Sequence, residues 1–191
     1  MQQSALHYEE LSLYQAKEDP GFLIDLIENL VESCPEIEWN QSKIIENRDG
    51  EYVVNKAIRD NLLFNLEPSM QCSSESKNKI LYLEKKIHSF LNGCISDYLK
   101  YHNVSVNGKT SYEILKYQGG NHLWWHDDIG HGNKVSLLFY LNSDFEGGEL
   151  DFKFMLHQPK KGDIIIFPSK YEHRVLPIKE GVRYCINAFM Y

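Results

Sequence analysis

From Ser111 to Tyr191 the chain reads SYEILKYQGG NHLWWHDDIG HGNKVSLLFY LNSDFEGGEL DFKFMLHQPK KGDIIIFPSK YEHRVLPIKE GVRYCINAFM Y. Short apolar runs rich in β-branched and aromatic residues alternate here with turn residues, which predicts strands at Ser111–Tyr117, Leu123–Asp127, Lys134–Leu141, Glu149–Phe152, Met155–Gln158, Asp163–Phe167, Glu172–Leu176 and Val182–Met190. Gly119-Gly120, Gly130–Gly132, Gly147-Gly148, Lys161-Gly162 and Glu180-Gly181 punctuate them. Strands this short, with turns this frequent, predict a sandwich or jelly roll.

The chain upstream has a different period. Asp19-Pro20 reads as a helix cap followed by proline at the first helical position. Phe22, Leu23, Leu26, Ile27, Leu30 and Val31 then recur at helical spacing, and Cys34-Pro35 stops the run. A longer helix is predicted from about Ser76 to Tyr101, with a stripe of Ile80, Leu83, Ile87, Phe90, Leu91, Cys94, Ile95 and Tyr98. Between them, Trp39 to Asn61 reads as one or two strands around a turn at Arg48-Asp49-Gly50. The expected class is α+β, mainly β, with helices covering one sheet face. With no repeat and no low-complexity linker, residues 1–191 read as one domain, 1–110 giving helical support and N-terminal strands and 111–191 the jelly-roll core.

The 191 residues are 42% hydrophobic, 25% charged and 13% aromatic, which excludes a disordered, collagenous or coiled-coil chain. The net charge of −7 sits in residues 1–100, with 10 basic and 17 acidic side chains, while residues 101–191 hold 10 of each. A surface without a basic excess argues against nucleic-acid binding. Cys34, Cys72, Cys94 and Cys185 are too scattered for a disulfide framework or a zinc knuckle, and so suit a reducing compartment. The start, Met1-Gln2-Gln3-Ser4, lacks the pattern of a signal peptide, and no run approaches the ~18 apolar residues of a membrane span. A cytoplasmic protein without a membrane partner is expected.

His126-Asp127-Asp128 ends a strand pattern, so His126 and Asp128 converge on one side. His173, in its own short strand, is the best third ligand. Two histidines and one carboxylate on one face of an octahedron form the arrangement of non-haem iron(II) oxygenases. Arg183 stands in the apolar run Val182–Met190, where Arg183, Cys185, Asn187 and Phe189 share one face and Tyr184, Ile186 and Ala188 the other. A buried guanidinium needs an anion, that strand offers none, and a small dicarboxylate would supply one.

The ordered blocks Tyr117-x-x-Gly120, His126-x-Asp128, Tyr140-Leu141-Asn142, Phe145-x-Gly147-Gly148-Glu149-Leu150-x-Phe152, Pro159-x-x-Gly162-Asp163, Phe167-Pro168-Ser169 and His173-x-Val175-x-Pro177-x-x-x-Gly181-x-Arg183-Tyr184 resemble the prolyl 4-hydroxylase-like family of 2-oxoglutarate- and Fe(II)-dependent dioxygenases. The resemblance is close over 111–191 and reaches back to Trp39–Arg59. It implies a double-stranded β-helix (jelly roll), Fe(II) held by His126, Asp128 and His173, and Arg183 on the distal carboxylate of 2-oxoglutarate. Tyr117 matches a tyrosine that bonds the same cosubstrate, and Tyr140 lies where some members place another. Asn187 and Phe189, on the face of Arg183, are expected near the metal, with Asn187 among the cofactor-binding residues.

The implied reaction consumes O2 and 2-oxoglutarate, gives succinate and CO2, and hydroxylates a C–H bond, with ascorbate as an accessory reductant. A peptide or protein substrate, proline first, is the leading expectation. A free amino acid, another small molecule or another peptidyl side chain is the alternative, and a catalytically silent binding module is a third reading. The related nucleic-acid demethylases carry a second arginine six residues after the first, where this chain has Phe189. Of Trp124 and Trp125, one is expected in the core and the other beside the substrate entrance. Gly147-Gly148 and Pro168-Ser169 read as turns, His122 and His131 as loop histidines, and Arg59 as a surface salt-bridge residue in preference to one pointing toward the substrate groove. Segments 44–61 and 129–133 are expected to shape the substrate site.

Overall fold

The computed structural model describes residues 5–45, 52–66, 72–108 and 110–191. The predicted turn at Arg48-Asp49-Gly50 lies outside them. Leu23, Ile27 and Leu30 are buried along helix α1 (Phe22–Ser33), so the apolar stripe fixes that helix to the sheet. The helix starts two residues later than Asp19-Pro20 implied: Gly21 takes the cap position, and Asp19 Oδ1 accepts the Gly21 N–H at 2.8 Å. Helix α2 (Ser74–Tyr101) buries Ile80, Leu83, Ile87, Leu91, Cys94 and Tyr98, and Ser73 caps it by accepting the Ser76 N–H at 3.1 Å.

The strands are β1 (Ala5–Tyr8), β2 (Leu11–Gln15), β3 (Asn40–Gln41), β4 (Ile44–Ile45), β5 (Tyr52–Val53), β6 (Arg59–Asp60), β7 (Leu62–Asn65) and β8 (Thr110–Gln118). They continue with β9 (His122–His126), β10 (Val135–Tyr140), β11 (Phe145–Gly147), β12 (Leu150–Phe152), β13 (Met155–His157), β14 (Asp163–Pro168), β15 (His173–Val175) and β16 (Ile178–Met190). All eight predicted strands of the second half are present. The larger sheet runs β1-β2-β14-β10-β16-β8-β7-β3, with β11 also against β16, and the smaller runs β13-β12-β15-β9-β6. Among its described residues, the segment expected to give one or two strands before Asn61 gives four two-residue strands, of which β4 and β5 pair with each other.

The alternation along β16 divides the core. Ile186, Ala188 and Met190 join the helix stripes in one apolar cluster, whereas Cys185 joins Leu115, Tyr117, Leu138, Tyr140 and Phe167 in a second cluster between the sheets. The order is therefore helices, larger sheet, smaller sheet, with the inner face of Arg183 turned toward the smaller sheet. This is the sandwich of a jelly roll.

A polar staple joins α1 to the larger sheet. Glu28 accepts from Lys116 Nζ at 2.8 Å, from the Tyr184 hydroxyl at 2.5 Å and from Trp39 Nε1 at 3.4 Å. Burial alone would raise the Glu28 carboxyl, but the Lys116 and Tyr184 hydrogen bonds outweigh it and hold it below its ordinary value. A carboxylate lowered on folding stabilises above its unfolded pKa, and that stabilisation is lost as pH falls through the carboxylate range. Glu28→Gln is expected to lower stability at neutral pH by about 1–2 kcal/mol, with an unchanged denaturant m-value. The gap to wild type should close below about pH 4, which urea titration at several pH values measures.

Candidate active site

His126 closes β9 and His173 opens β15, and the two are cross-strand partners. Asp128 follows two residues after His126, its backbone N–H bonded to Ser169 O at 2.8 Å and its carbonyl accepting from Asn133 Nδ2 at 2.9 Å. One ligand atom from each of His126, Asp128 and His173 lies within 4.8 Å of the others. Nε2 of His126 is 3.5 Å from Asp128 Oδ1, and Nε2 of His173 is 3.7 Å from Asp128 Oδ2.

Each imidazole is oriented from behind. Nδ1 of His126 lies 2.9 Å from Trp124 O, and Nδ1 of His173 lies 2.9 Å from Tyr171 O. A carbonyl only accepts, so both Nδ1 atoms carry the proton and both Nε2 lone pairs face the carboxylate. Burial, then the neighbouring His173, pushes the His126 pKa down to about 4. Folding thus lowers the proton affinity of His126, so its neutral form is retained at pH 7, and metal-free stability declines as pH falls from about 6.5 toward 4. Phe152 and Phe167 flank the His173 ring, with centroids 5.6 and 4.9 Å away. This leaves an open-faced set of two neutral nitrogens and one carboxylate, which fits divalent iron.

Arg183 occupies the far end of the same cavity. It is 0% exposed. Nη1 donates to Gly148 O at 2.8 Å, while Nε and Nη2 are buried without a hydrogen-bond partner among the described residues. Its Cζ lies 4.4 Å from the Tyr117 ring centroid and 5.3 Å from that of Tyr140. The Tyr140 hydroxyl is likewise buried and without a partner. Leaving such donors unmet is costly, each by about 1–3 kcal/mol, and a carboxylate fits the planar fork. Gly148 has φ +65, and a Cβ there would sit 2.4 Å from Ile178 Cδ1. The predicted turn glycine thus also brings a backbone carbonyl up to the guanidinium.

The cavity between these ends is lined by Tyr117, Leu138, Val175 and Asn187 along with the triad and Arg183, and Phe189 stands on its wall. His126, Asp128, His173, Arg183, Tyr117 and Asn187 thus line one cavity. Some expectations need correction. Neither tryptophan enters the core: β9 bulges against β15, with His126 and Leu123 facing His173 and Val175, so two residues oppose one. The bulge turns Leu123 and His126 inward and leaves Trp124 52% exposed, with the Arg174 guanidinium 5.3 Å from Trp124 and 4.6 Å from Trp125. Arg59 does form an ion pair, Nη2 to Glu113 Oε2 at 3.6 Å, but inside the cavity rather than on the surface.

Glu113 itself was missed. It lies on the inward face of β8 with Leu115 and Tyr117, and a lone carboxylate in register with buried residues was the available signal. His122, expected in a loop, instead opens β9 opposite Asp60, with its ring between the carbonyls of Gly120 and Ala57. The side chain of His131 lies outside the described residues. A wider groove runs outward from His126 and Asp128 past Tyr52, Ile58, Arg59 and Gly130, drawing its walls from both segments expected to shape the substrate site.

Residues 112–191 match the sequence profile of the 2OG-Fe(II) oxygenase superfamily. A PKHD-type hydroxylase of Idiomarina loihiensis is 36% identical over 80 residues, 37% of each chain. Another, from Rippkaea orientalis, is 26% identical over 160 residues, covering 81% of this chain and 58% of the relative. The matched parts thus span well under two thirds of those relatives. Among solved structures, a Trichoplax adhaerens prolyl hydroxylase in complex with a hypoxia inducible factor peptide fragment superposes with TM-score 0.68, at 18% identity, over 95% of this chain and 83% of that one. A Pseudomonas putida prolyl-4-hydroxylase gives 0.60 at 16% identity, over 95% and 91%. These likenesses establish the double-stranded β-helix fold. With the profile match over the jelly roll, and a His-Asp-His cluster where the motifs place it, residues 112–191 are similar to the 2OG-Fe(II) oxygenase superfamily in sequence and in fold.

Proposed function

We propose that this chain is a 2-oxoglutarate-dependent Fe(II) hydroxylase acting on a peptidyl residue, proline first. The observation that carries the reading is the buried, half-partnered Arg183 at one end of a cavity whose other end is the His126-Asp128-His173 cluster. Those three side chains would hold iron, and Arg183 with the hydroxyl of Tyr140 and the ring of Tyr117 would receive the distal carboxylate of 2-oxoglutarate. Bound Fe(II) and 2-oxoglutarate supply the oxidising chemistry: O2 is consumed, succinate and CO2 are formed, and one oxygen atom enters a substrate C–H bond. The chain's own part is positioning and dryness. The Trp124 and Tyr171 carbonyls fix the imidazoles, the Ser169 and Asn133 bonds fix the Asp128 loop, and Leu138 and Val175 keep water from the cavity wall.

A peptide substrate is supported by the open groove leading to the triad, and by the neighbour whose structure holds a peptide fragment. Helix α1, helix α2 and the larger sheet share one apolar cluster, which supports reading 1–191 as one domain. Among the described residues no helix is long and apolar enough to cross a membrane. A peptide library incubated with the protein, Fe(II), 2-oxoglutarate and O2 is expected to show mass gains of one oxygen atom, matched by succinate. Succinate formation stimulated by a free amino acid and by no peptide would overturn the peptidyl reading.

A further inference from the structure

The inward faces of β8 and β16 form a ladder of facing pairs. Tyr117 faces Arg183, Leu115 faces Cys185, Glu113 faces Asn187 and Ser111 faces Phe189. Glu113 and Asn187 thus stand four residues from the Tyr117–Arg183 rung, about 13 Å along the strands, on the side where the cavity meets the outer groove. Burial pushes the Glu113 carboxyl up, and hydrogen bonds from Arg59 and from the Asn187 amide hold back part of that rise, so the amide nitrogen of Asn187 is committed. Its Oδ1 is buried with no partner, in a residue 8% exposed. The Glu113 carboxyl, 22% exposed, also meets Arg59 Nη2 at 3.6 Å.

At this rung the Asn187 oxygen is a buried acceptor short of a donor. Ionised 2-oxoglutarate and O2 have no donor to offer. We infer that Asn187, held through its amide nitrogen by Glu113, is a specificity residue whose Oδ1 accepts an N–H hydrogen bond from the substrate. The inference rests on the hydroxylase reading above and moves Asn187 from the cosubstrate to the substrate. A prolyl ring has no N–H, so in a peptide the donor comes from a flanking residue, either its backbone amide or a lysine or arginine side chain.

The test is a cycle between enzyme and substrate. A peptide hydroxylated by the wild type is remade as single backbone N-methyl analogues and as single Lys or Arg→norleucine analogues. Each is assayed with wild type, with Glu113→Gln and with Asn187→Ser. One analogue is expected to raise the wild-type KM about 10- to 100-fold and to cost little more in either variant, because the bond it removes is already lost. Whether that analogue is N-methylated or lacks a cation identifies the donor. Losses that multiply independently, or variants that shift the KM for 2-oxoglutarate instead, would overturn the inference and leave the hydroxylase reading standing. Oxidation of no peptide by the wild type would overturn both.

Discussion

Arg183→Met is expected to raise the KM for 2-oxoglutarate by about 30-fold to several thousand-fold, the range for truncating one partner of a buried charge-assisted pair. Methionine keeps much of the apolar stem beside Tyr117 and Tyr140 and removes the fork, whose Nε and Nη2 have no partner among the described residues. The same variant separates a cosubstrate role from a structural one. Wild-type protein should melt higher on addition of a divalent metal and 2-oxoglutarate, since a ligand at a hundred times its Kd adds about 2.7 kcal/mol. In Arg183→Met the increment due to 2-oxoglutarate should vanish while the increment due to metal remains. An Arg183 that merely packed the core would change the metal-free melting point and leave the cosubstrate increment intact.

The second large effect is that of Asp128→Ala. It removes the only anionic member of the cluster and leaves two neutral imidazoles 4.1 Å apart between ring centroids. Metal affinity should fall by more than about a hundredfold, the upper end of what changes outside the ligand shell cost, and succinate formation should fall to background. Asp128 is a cleaner choice than His173, because its backbone, not its side chain, makes the bonds to Ser169 and Asn133. His173→Ala would open a hole beside Phe152 and Phe167 and confuse folding with chemistry. Unchanged circular dichroism with lost metal binding is the expected signature of Asp128→Ala.

The strand pattern after Ser111 was legible because each strand is a β-branched or aromatic run closed by glycine, and because Arg183 broke an alternation that its neighbours kept. The N-terminal hairpin was not. β1 and β2 are joined through Glu9, which takes φ 50 without being glycine or asparagine, so the turn carries no chemical mark. β7 and β11 are four and three residues long, too short for a period to register. The two tryptophans were misplaced for a related reason: a bulge shifts the alternation by one residue, and pairing register is a tertiary property. Glu113 was visible as a residue but not as a site, since only its pairing with Asn187 across β16 sets it on the cavity wall.

The central claim is that His126, Asp128 and His173 at one end of the cavity and Arg183 at the other form a single site for Fe(II) and 2-oxoglutarate. Anaerobic calorimetric titration of 2-oxoglutarate into the Fe(II)-loaded protein tests it most directly. One equivalent is expected to bind with iron present, and binding should be lost in Arg183→Met and in Asp128→Ala. Failure of the iron-loaded wild type to bind 2-oxoglutarate, or binding unaffected by removing the metal and either side chain, would contradict the account.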